Sequence, residues 1–357
     1  MEAQTMEYGI VPPFLLDRVA QTDQPHLARA AHAARHTLIA PREYRPHRAQ
    51  LELSIEGGAL VARAEPSPDR TIADAKGTED LPGTTVRTED EPPVADTAVN
   101  QAFDGLGQTF EFYWEAYQRD SIDGHGLPLD ATVHYGRDYD NAFWNGERMV
   151  FGDGDGDVFT GFTGSLTVIA HELTHGVTED SGGLDYQGQS GALNESISDV
   201  FGVLTEQFTN GQTADEASWL IGAGILAPGI HGVALRSMKA PGTAYDDPVL
   251  GKDPQPATMT GYVQTTDDNG GVHINSGIPN HAFYLFATTL GGKAWERAGL
   301  VWYKTLTGGT LPHDADFATF ANATLSTAAA EYGEGSEEVA AARAAWTGVG
   351  VLEDDRS

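Results

Sequence analysis

The 357-residue sequence contains no cysteine. That excludes disulfide staples, thiol nucleophiles and cysteine-held zinc, so any metal must rely on His, Asp or Glu. Basic residues are scarce. Twenty-one Lys and Arg stand against 52 Asp and Glu, for a net charge of −31. Such a field disfavours nucleic acid and anionic membranes as partners. No apolar run approaches the roughly 18 residues of a membrane-spanning helix. A Sec-type signal peptide is also missing from view: residues 1–20 start acidic and carry Pro12-Pro13 where its apolar core would stand. What is present is a globular composition, 40 % apolar and 9 % aromatic, in a chain long enough for two or three structural units.

The charge is unevenly placed. Residues 1–50 hold six Arg against five acids, a net of +1, and four of the 12 His. Residues 51–357 hold 15 basic against 47 acidic residues, a net of −32. After Pro12-Pro13 the pattern over residues 14–35 predicts one or two short helices that cannot bury their apolar face alone. Residues 94–117 read as a helix. Short β-prone runs at 132–135, 143–144 and 149–151, split by Gly and Asp, predict a twisted β-meander. From about residue 164 the pattern is mostly helical, and Ser336 is placed to cap a helix with Glu337 and Glu338 in its first turn. The expectation is an α+β fold with a β-rich N-terminal lobe and an α-helical C-terminal lobe, the chemistry lying between them.

The sharpest local signal is His171-Glu172-Leu173-Thr174-His175. Two His four apart on a helix share a face, and both imidazoles can reach one metal. Glu172 sits where it can address a water at that metal. By chance this pattern arises in roughly three such chains per hundred, so it requires a third ligand. Glu195 and Asp199 lie four apart on a second predicted helix. Alone they read as a solvated face. Beside the His pair, a carboxylate from that helix completes a His₂Glu zinc site with one open position, and an acid is left to orient a ligand His.

With these motifs the chain resembles the thermolysin-like neutral zinc metalloproteases. The resemblance extends from about residue 72 to the C-terminus. It includes Tyr139-Asp140-Asn141-Ala142-Phe143-Trp144-Asn145-Gly146, Asp185-Tyr186-Gln187, Leu235-Arg236-Ser237-Met238 and the stretch from Asp268-Asn269-Gly270-Gly271 to His273. Pro12-Pro13-Phe14-Leu15 is similar to the short propeptide of the protealysin-like branch. The resemblance implies a secreted hydrolase made as a zymogen, with one catalytic zinc on His171, His175 and Glu195 and with Glu172 as general base. It implies Tyr186 and His273 as donors to the oxyanion, with Asp268 orienting His273, Asp199 orienting His171 and Asn194 supporting His175. Asn141, Ala142 and Arg236 would hold the peptide. Val168, Ile221 and Leu235 would line an apolar pocket that directs cleavage to the amino side of bulky hydrophobic residues.

The family's double calcium site falls here on Thr167, Glu206, Ser218, Leu220 and Ala223. Only Glu206 is acidic, so the site is expected to be lost. The Asp153–Asp157 run lacks the Gly and Glu of an EF-hand loop and reads as a turn. The expected organisation is a propeptide (1–50), a catalytic lobe ending in the HELTH helix (51–178) and a helical lobe (179–357). The propeptide acts as folding aid and intramolecular inhibitor, and Gln50–Leu51 is one candidate maturation bond. The enzyme is expected to be a monomer acting on peptides or proteins, without nucleic-acid or membrane partners. Secretion follows from the resemblance, with a cytoplasmic location as the alternative. Two other readings are a non-catalytic binding protein on a protease scaffold and a zinc enzyme with a non-peptide substrate. The filled site opposes the first, and Asn141 with Arg236 opposes the second.

Overall fold

Helices α4 (Leu166–Asp180) and α5 (Gly188–Thr209), which carry the two motifs, form the centre of the computed structural model. The structure describes residues 9–40, 53–56, 59–62 and 66–353, so Gln50–Leu51 lies outside the described residues. Every residue of α4 from Thr167 to Thr178 is buried, as expected of a helix covered on all sides. The two helices pack closely because Gly202 has no side chain. A Cβ there would sit 2.8 Å from the Thr167 carbonyl oxygen. Gly202→Ala would therefore drive apart the helices that place the His pair beside Glu195 and Asp199.

Ahead of this pair, α1 (Pro13–Ala20) and α2 (Ala28–Ile39) realise the two short helices expected near the N-terminus. Pro13 sits in the first turn of α1, where its missing N–H costs nothing. The strands β1 (Leu53–Glu56) and β2 (Ala59–Ala62) pair as an antiparallel ribbon. Then follow β3 (Arg70–Asp74), β4 (Thr84–Thr88), α3 (Thr97–Tyr117), β5 (Leu129–Val133), β6 (Ala142–Trp144) and β7 (Met149–Phe151).

The five strands β3 to β7 are not the expected meander. Their order is β4-β3-β5-β7-β6, with β3–β5 and β5–β7 parallel. The reason lies in α3. Its buried face, including Phe103, Leu106, Phe110 and Phe112, must cover apolar surface. Running it between β4 and β5 returns the chain to the far side of β3 in the parallel sense. The order leaves β6 at the sheet edge, antiparallel to β7. Asp96 caps α3 by accepting from the Ala98 and Val99 amides, and the Tyr113 hydroxyl meets Thr174 Oγ1 of α4 at 2.8 Å.

The remaining elements include β8 (Leu220–Ile221), β9 (Arg236–Ser237), α6 (Asp268–Asn275), α7 (Gly277–Leu290), α8 (Ala298–Thr307), α9 (Phe317–Tyr332) and α10 (Glu337–Gly348). The last four helices enclose an aromatic core in which Trp302 stacks on Trp346 with centroids 5.7 Å apart. Ser336 caps α10 by accepting from the Val339 amide, as its sequence position predicts.

The Asp153–Asp157 stretch is a turn, with Gly154 and Gly156 at positive φ. His134, after β5, ties it to α3: Nδ1 lies 2.9 Å from Asp153 and Nε2 lies 3.0 Å from Asp96. Burial acts to lower the His134 pKa, but Asp153 and then Asp96 outweigh it and raise it above the ordinary 6.5. A raised folded pKa means that the clip's stability is complete below 6.5 and is lost as pH rises through the folded value. His134→Gln should therefore lower the melting temperature at acid pH and matter less at alkaline pH. Thermal melts of both proteins across pH measure this, and a pH-independent difference would contradict it.

Candidate metal centre and peptide cleft

His171 and His175 leave α4 on one face, and Glu195 reaches them from α5. Their ligand atoms lie within 4.8 Å of one another, and all three residues are buried. The two Nε2 atoms are 3.1 Å apart, while Glu195 oxygens lie 3.5 Å from His171 Nε2 and 3.4 Å from His175 Nε2. Glu195 Oε2 is buried with no hydrogen-bond donor among the described residues. Two imidazole nitrogens and a buried carboxylate oxygen that lacks a donor among the described residues, converging on one point, fit a divalent zinc-type cation.

The second ring nitrogens are held from α5. His171 Nδ1 donates to Asp199 Oδ1 at 2.8 Å, and His175 Nδ1 donates to Asn194 Oδ1 at 2.8 Å. Ser198 Oγ also lies 3.1 Å from His175 Nδ1. These contacts fix each ring with Nε2 facing the cation position. Burial, partly opposed by Glu195, holds His175 at about 3 and hence neutral. Burial alone would raise the Glu195 carboxyl, but His273, His175 and His171 outweigh it and hold it at about 2. Both groups are thus in the ligating state at neutral pH.

Asp199 carries more than a single His. Arg236 grips it bidentately, with Nε and Nη2 each 2.8 Å from a carboxylate oxygen, and Asn280 Nδ2 donates at 2.8 Å. Burial opposes ionisation, yet Arg236 and His171 keep the Asp199 carboxyl well below the usual range. Ser198 and Asn280 escape the sequence reading. A polar Asn inside the apolar run of α7 is the only signal that pointed to the second.

Glu172 is fully buried, and its Oε2 accepts the Trp144 amide of β6 at 3.0 Å. Tyr186 and His273 meet at Glu195. The Tyr186 hydroxyl donates to Glu195 Oε1 in a short bond and lies 3.3 Å from His273 Nε2. His273 Nδ1 donates to Asp268 Oδ1 at 2.6 Å, and its backbone amide donates to Asp268 Oδ2 at 2.9 Å. Burial would lower the His273 pKa, but Asp268 and Glu195 raise it to about 9. The imidazole is therefore a donor at neutral pH. Asp268 reaches back because residues 268–271 all take positive φ. At Gly270 a Cβ would sit 2.9 Å from the Gln187 amide nitrogen, so only glycine fits there. Gln255, another residue absent from the sequence reading, donates to the His273 carbonyl at 2.8 Å.

The cleft beside the edge strand is filled by the chain's own N-terminal segment. The Ile10 amide donates to the Ala142 carbonyl at 3.1 Å, continuing the sheet past β6. The Val11 amide donates to Asn141 Oδ1 at 2.9 Å, and Asn141 Nδ2 returns a bond to the Val11 carbonyl at 3.0 Å. Arg236 Nη1 donates to the Ile10 carbonyl at 3.1 Å. Ile10 belongs to the same buried apolar cluster as Val168, Ile221 and Leu235. Hydrogen bonds thus bring Asn141, Ala142 and Arg236 together on the N-terminal segment, and Arg236 joins them to the metal-binding group through Asp199, while Val168, Ile221 and Leu235 are buried apolar residues of the core.

Two family models match the chain: the thermolysin metallopeptidase catalytic domain over residues 62–179, and the thermolysin metallopeptidase alpha-helical domain over residues 182–351. The chain belongs to the thermolysin family of metallopeptidases. It is 49 % identical over 346 residues to an extracellular metalloprotease of Pectobacterium carotovorum subsp. carotovorum, covering 96 % of each protein. It is 41 % identical over 263 residues to a thermolysin of Alicyclobacillus acidocaldarius, covering 72 % of this chain and 46 % of that protein. The solved precursor of protealysin, a metalloproteinase from Serratia proteamaculans, superposes with a TM-score of 0.87 at 50 % identity, covering 97 % of this chain and 100 % of that one. Family membership makes this thermolysin-like chain a zinc metalloendopeptidase of α+β, two-lobed fold. His171, His175 and Glu195 are its metal-binding group.

Proposed function

We propose that the protein is an extracellular zinc endopeptidase made as a proenzyme, with residues 1–50 as its propeptide and inhibitor. One observation carries the reading. Ile10 and Val11 take up the hydrogen bonds of Asn141, Ala142 and Arg236, the residues expected to hold a peptide. An extended peptide added to the β6 edge would bind the same way. The N-terminal helices anchor this strand through Arg29, which lies 3.3 Å from Asp138, and His36, which lies 3.2 Å from Glu79. Two relatives lend support: one is named extracellular and another is described as a precursor.

Zinc, when bound, polarises the scissile carbonyl and acidifies a water. Glu172 takes a proton from that water and delivers it to the leaving amide nitrogen. Tyr186 Oη and His273 Nε2 donate to the oxygen that becomes negative, each such donor contributing about 2.7–4 kcal/mol. Arg236 holds the carbonyl of the residue after the scissile bond. Val168, Ile221 and Leu235 receive its side chain, which favours cleavage on the amino side of bulky apolar residues. With one acid left among the former calcium positions, we read a single-metal enzyme that works as a monomer on peptides and proteins.

Ile10→Asp in the full chain tests the proenzyme reading. A carboxylate in that buried site costs several kcal/mol, so the segment should leave the cleft. Peptide hydrolysis should then start without the lag of the wild type, stop with 1,10-phenanthroline, and cut before Leu, Ile or Phe in a mixed peptide library. Equal lag and equal rate in both proteins would overturn the inhibitor role.

A further inference from the structure

Two buried carboxyl groups lie directly behind the peptide-holding edge. Asp140 immediately precedes Asn141, and Asp155 sits in the turn that follows β7. Both are 0 % exposed. The Asp155 amide donates to Asp140 Oδ1 at 2.8 Å. Asp155 Oδ1 accepts the amides of Asp157 and Val158 at 2.6 and 2.7 Å. One oxygen on each, Asp140 Oδ2 and Asp155 Oδ2, is buried with no donor among the described residues. Asp155 thus bears on Asp140 directly: its amide donates to that carboxyl, and its own charge acts to raise the Asp140 acid.

Both orphaned atoms are acceptors, so what they lack is a donor. Two ionised carboxylates at this separation repel, whereas one proton between them satisfies both. Asp155 Oδ1 already accepts two backbone amides, which leaves its Oδ2 as the acceptor and places the shared proton on Asp140. Burial, then the charge of Asp155, push the Asp140 acid well above its usual range. The ionisable groups on the surrounding elements are Asp138 and Tyr139 on its own segment, Asp153 and Asp157 on the turn, His134 and Tyr135 after β5, and Arg29 on α2. Among the described residues no cation contacts either carboxyl.

We propose that Asp140 and Asp155 share one proton and that this pair positions the peptide-binding edge. Asp140 Oδ2–H donates to Asp155 Oδ2. The segment it fixes hangs on the turn by two backbone bonds, Gly154 N–H to the Tyr139 carbonyl at 3.1 Å and Gly152 N–H to the Asn141 carbonyl at 3.0 Å. The shared proton is the side-chain tie that keeps Asn141 and Ala142 at the height where a peptide finds them. The N-terminal segment leans on the same two residues: the Asp140 amide donates to Thr37 Oγ1 at 3.0 Å, and Arg29 donates to the Asp155 carbonyl. Loss of the proton at alkaline pH puts two negative charges behind the edge and loosens its grip on peptide. The step is a binding effect and rests on the peptide-holding role of Asn141 and Ala142.

The test uses zinc-loaded protein purified from the full chain. Asp140→Asn keeps the geometry, because its amide Nδ2 can donate to Asp155 while its oxygen still accepts the Asp155 amide. Asp140→Ala leaves Asp155 unsatisfied. Infrared spectra at neutral pH should show a protonated carboxyl C=O band, shifted by deuterium, that Asp140→Asn abolishes. In peptide hydrolysis the wild-type KM should rise about tenfold towards alkaline pH with little change in kcat, a loss of about 1.4 kcal/mol in binding when the buried tie is left unsatisfied. Asp140→Asn should flatten that rise, and Asp140→Ala should show the high KM at every pH. The proposal fails if the wild type lacks the band, or if Asp140→Asn keeps both the band and the alkaline rise. A chain that hydrolysed no peptide would instead overturn the functional reading, and the infrared band would still decide the proton.

Discussion

Glu172→Gln should lower peptide hydrolysis by about 10²–10⁴-fold while the protein keeps its zinc. The substitution preserves shape, and the amide oxygen of Gln can still accept the Trp144 amide that Glu172 Oε2 accepts at 3.0 Å. The three metal-binding residues are untouched, so metal content should stay at one zinc per chain. What disappears is a basic oxygen on the residue next to His171, able to take a proton from water and return it to the leaving nitrogen. Casein digestion beside elemental zinc analysis separates the two effects. Wild-type digestion by Glu172→Gln would remove Glu172 from the chemistry. Loss of zinc together with activity would make it a structural residue instead.

Arg236→Leu should destabilise the folded protein by about 3–5 kcal/mol, because it leaves Asp199 charged and buried without its principal partner. Arg236 is itself only 2 % exposed, and two of its nitrogens meet Asp199 at 2.8 Å. Asn280 and His171 remain, but neither brings a permanent positive charge. The melting temperature should fall on the order of 10 °C. Replacing Asp199 as well should recover part of that loss, since the damage comes from the stranded charge and not from a missing contact. Arg236→Leu melting with the wild type would show that Asp199 is neutral or solvated. The same variant loses the donor to the Ile10 carbonyl at 3.1 Å, so a bound peptide should weaken too. If the peptide-holding role proposed for Arg236 holds, one variant should show both effects, the first in thermal melts and the second in KM.

Much of the site was legible because its parts have fixed spacing on helices. His171 and His175 are one turn apart, and so are Glu195 and Asp199, so a periodicity argument puts each pair on a face without knowing the fold. Asn194 and Asp268 could be named through resemblance, and the structure sets them on His175 and His273. Ser198 and Asn280 stayed invisible because a polar residue in a helix reads the same whether it meets solvent or a buried partner, and Gln255, in an irregular segment, carries no periodic signal at all. The strands lie close to the β-prone runs, but their order and parallel pairing differ from the expected meander. Pairing depends on where α3 finds apolar surface to cover, and strand spacing does not carry that information.

The sequence by itself determined the metal chemistry. Without cysteine, and with a His pair and a carboxylate at helical spacing, only a nitrogen- and oxygen-held cation was open to it. It also determined the electrostatic division between a near-neutral first 50 residues and a strongly acidic remainder. Tertiary structure alone decided where Ile10 and Val11 lie. That Ile10 and Val11 lie along β6, held by Asn141 and Arg236 from segments more than a hundred residues away, follows from the sheet order and from the close passage of α4 over α5. It likewise decided that Asp140 and Asp155, unremarkable acids in the chain, are both buried and joined through the Asp155 amide. Local sequence fixes which atoms a segment can offer. Burial and long-range packing fix which of them must find a partner, because an unsatisfied polar atom is costly only once solvent is gone.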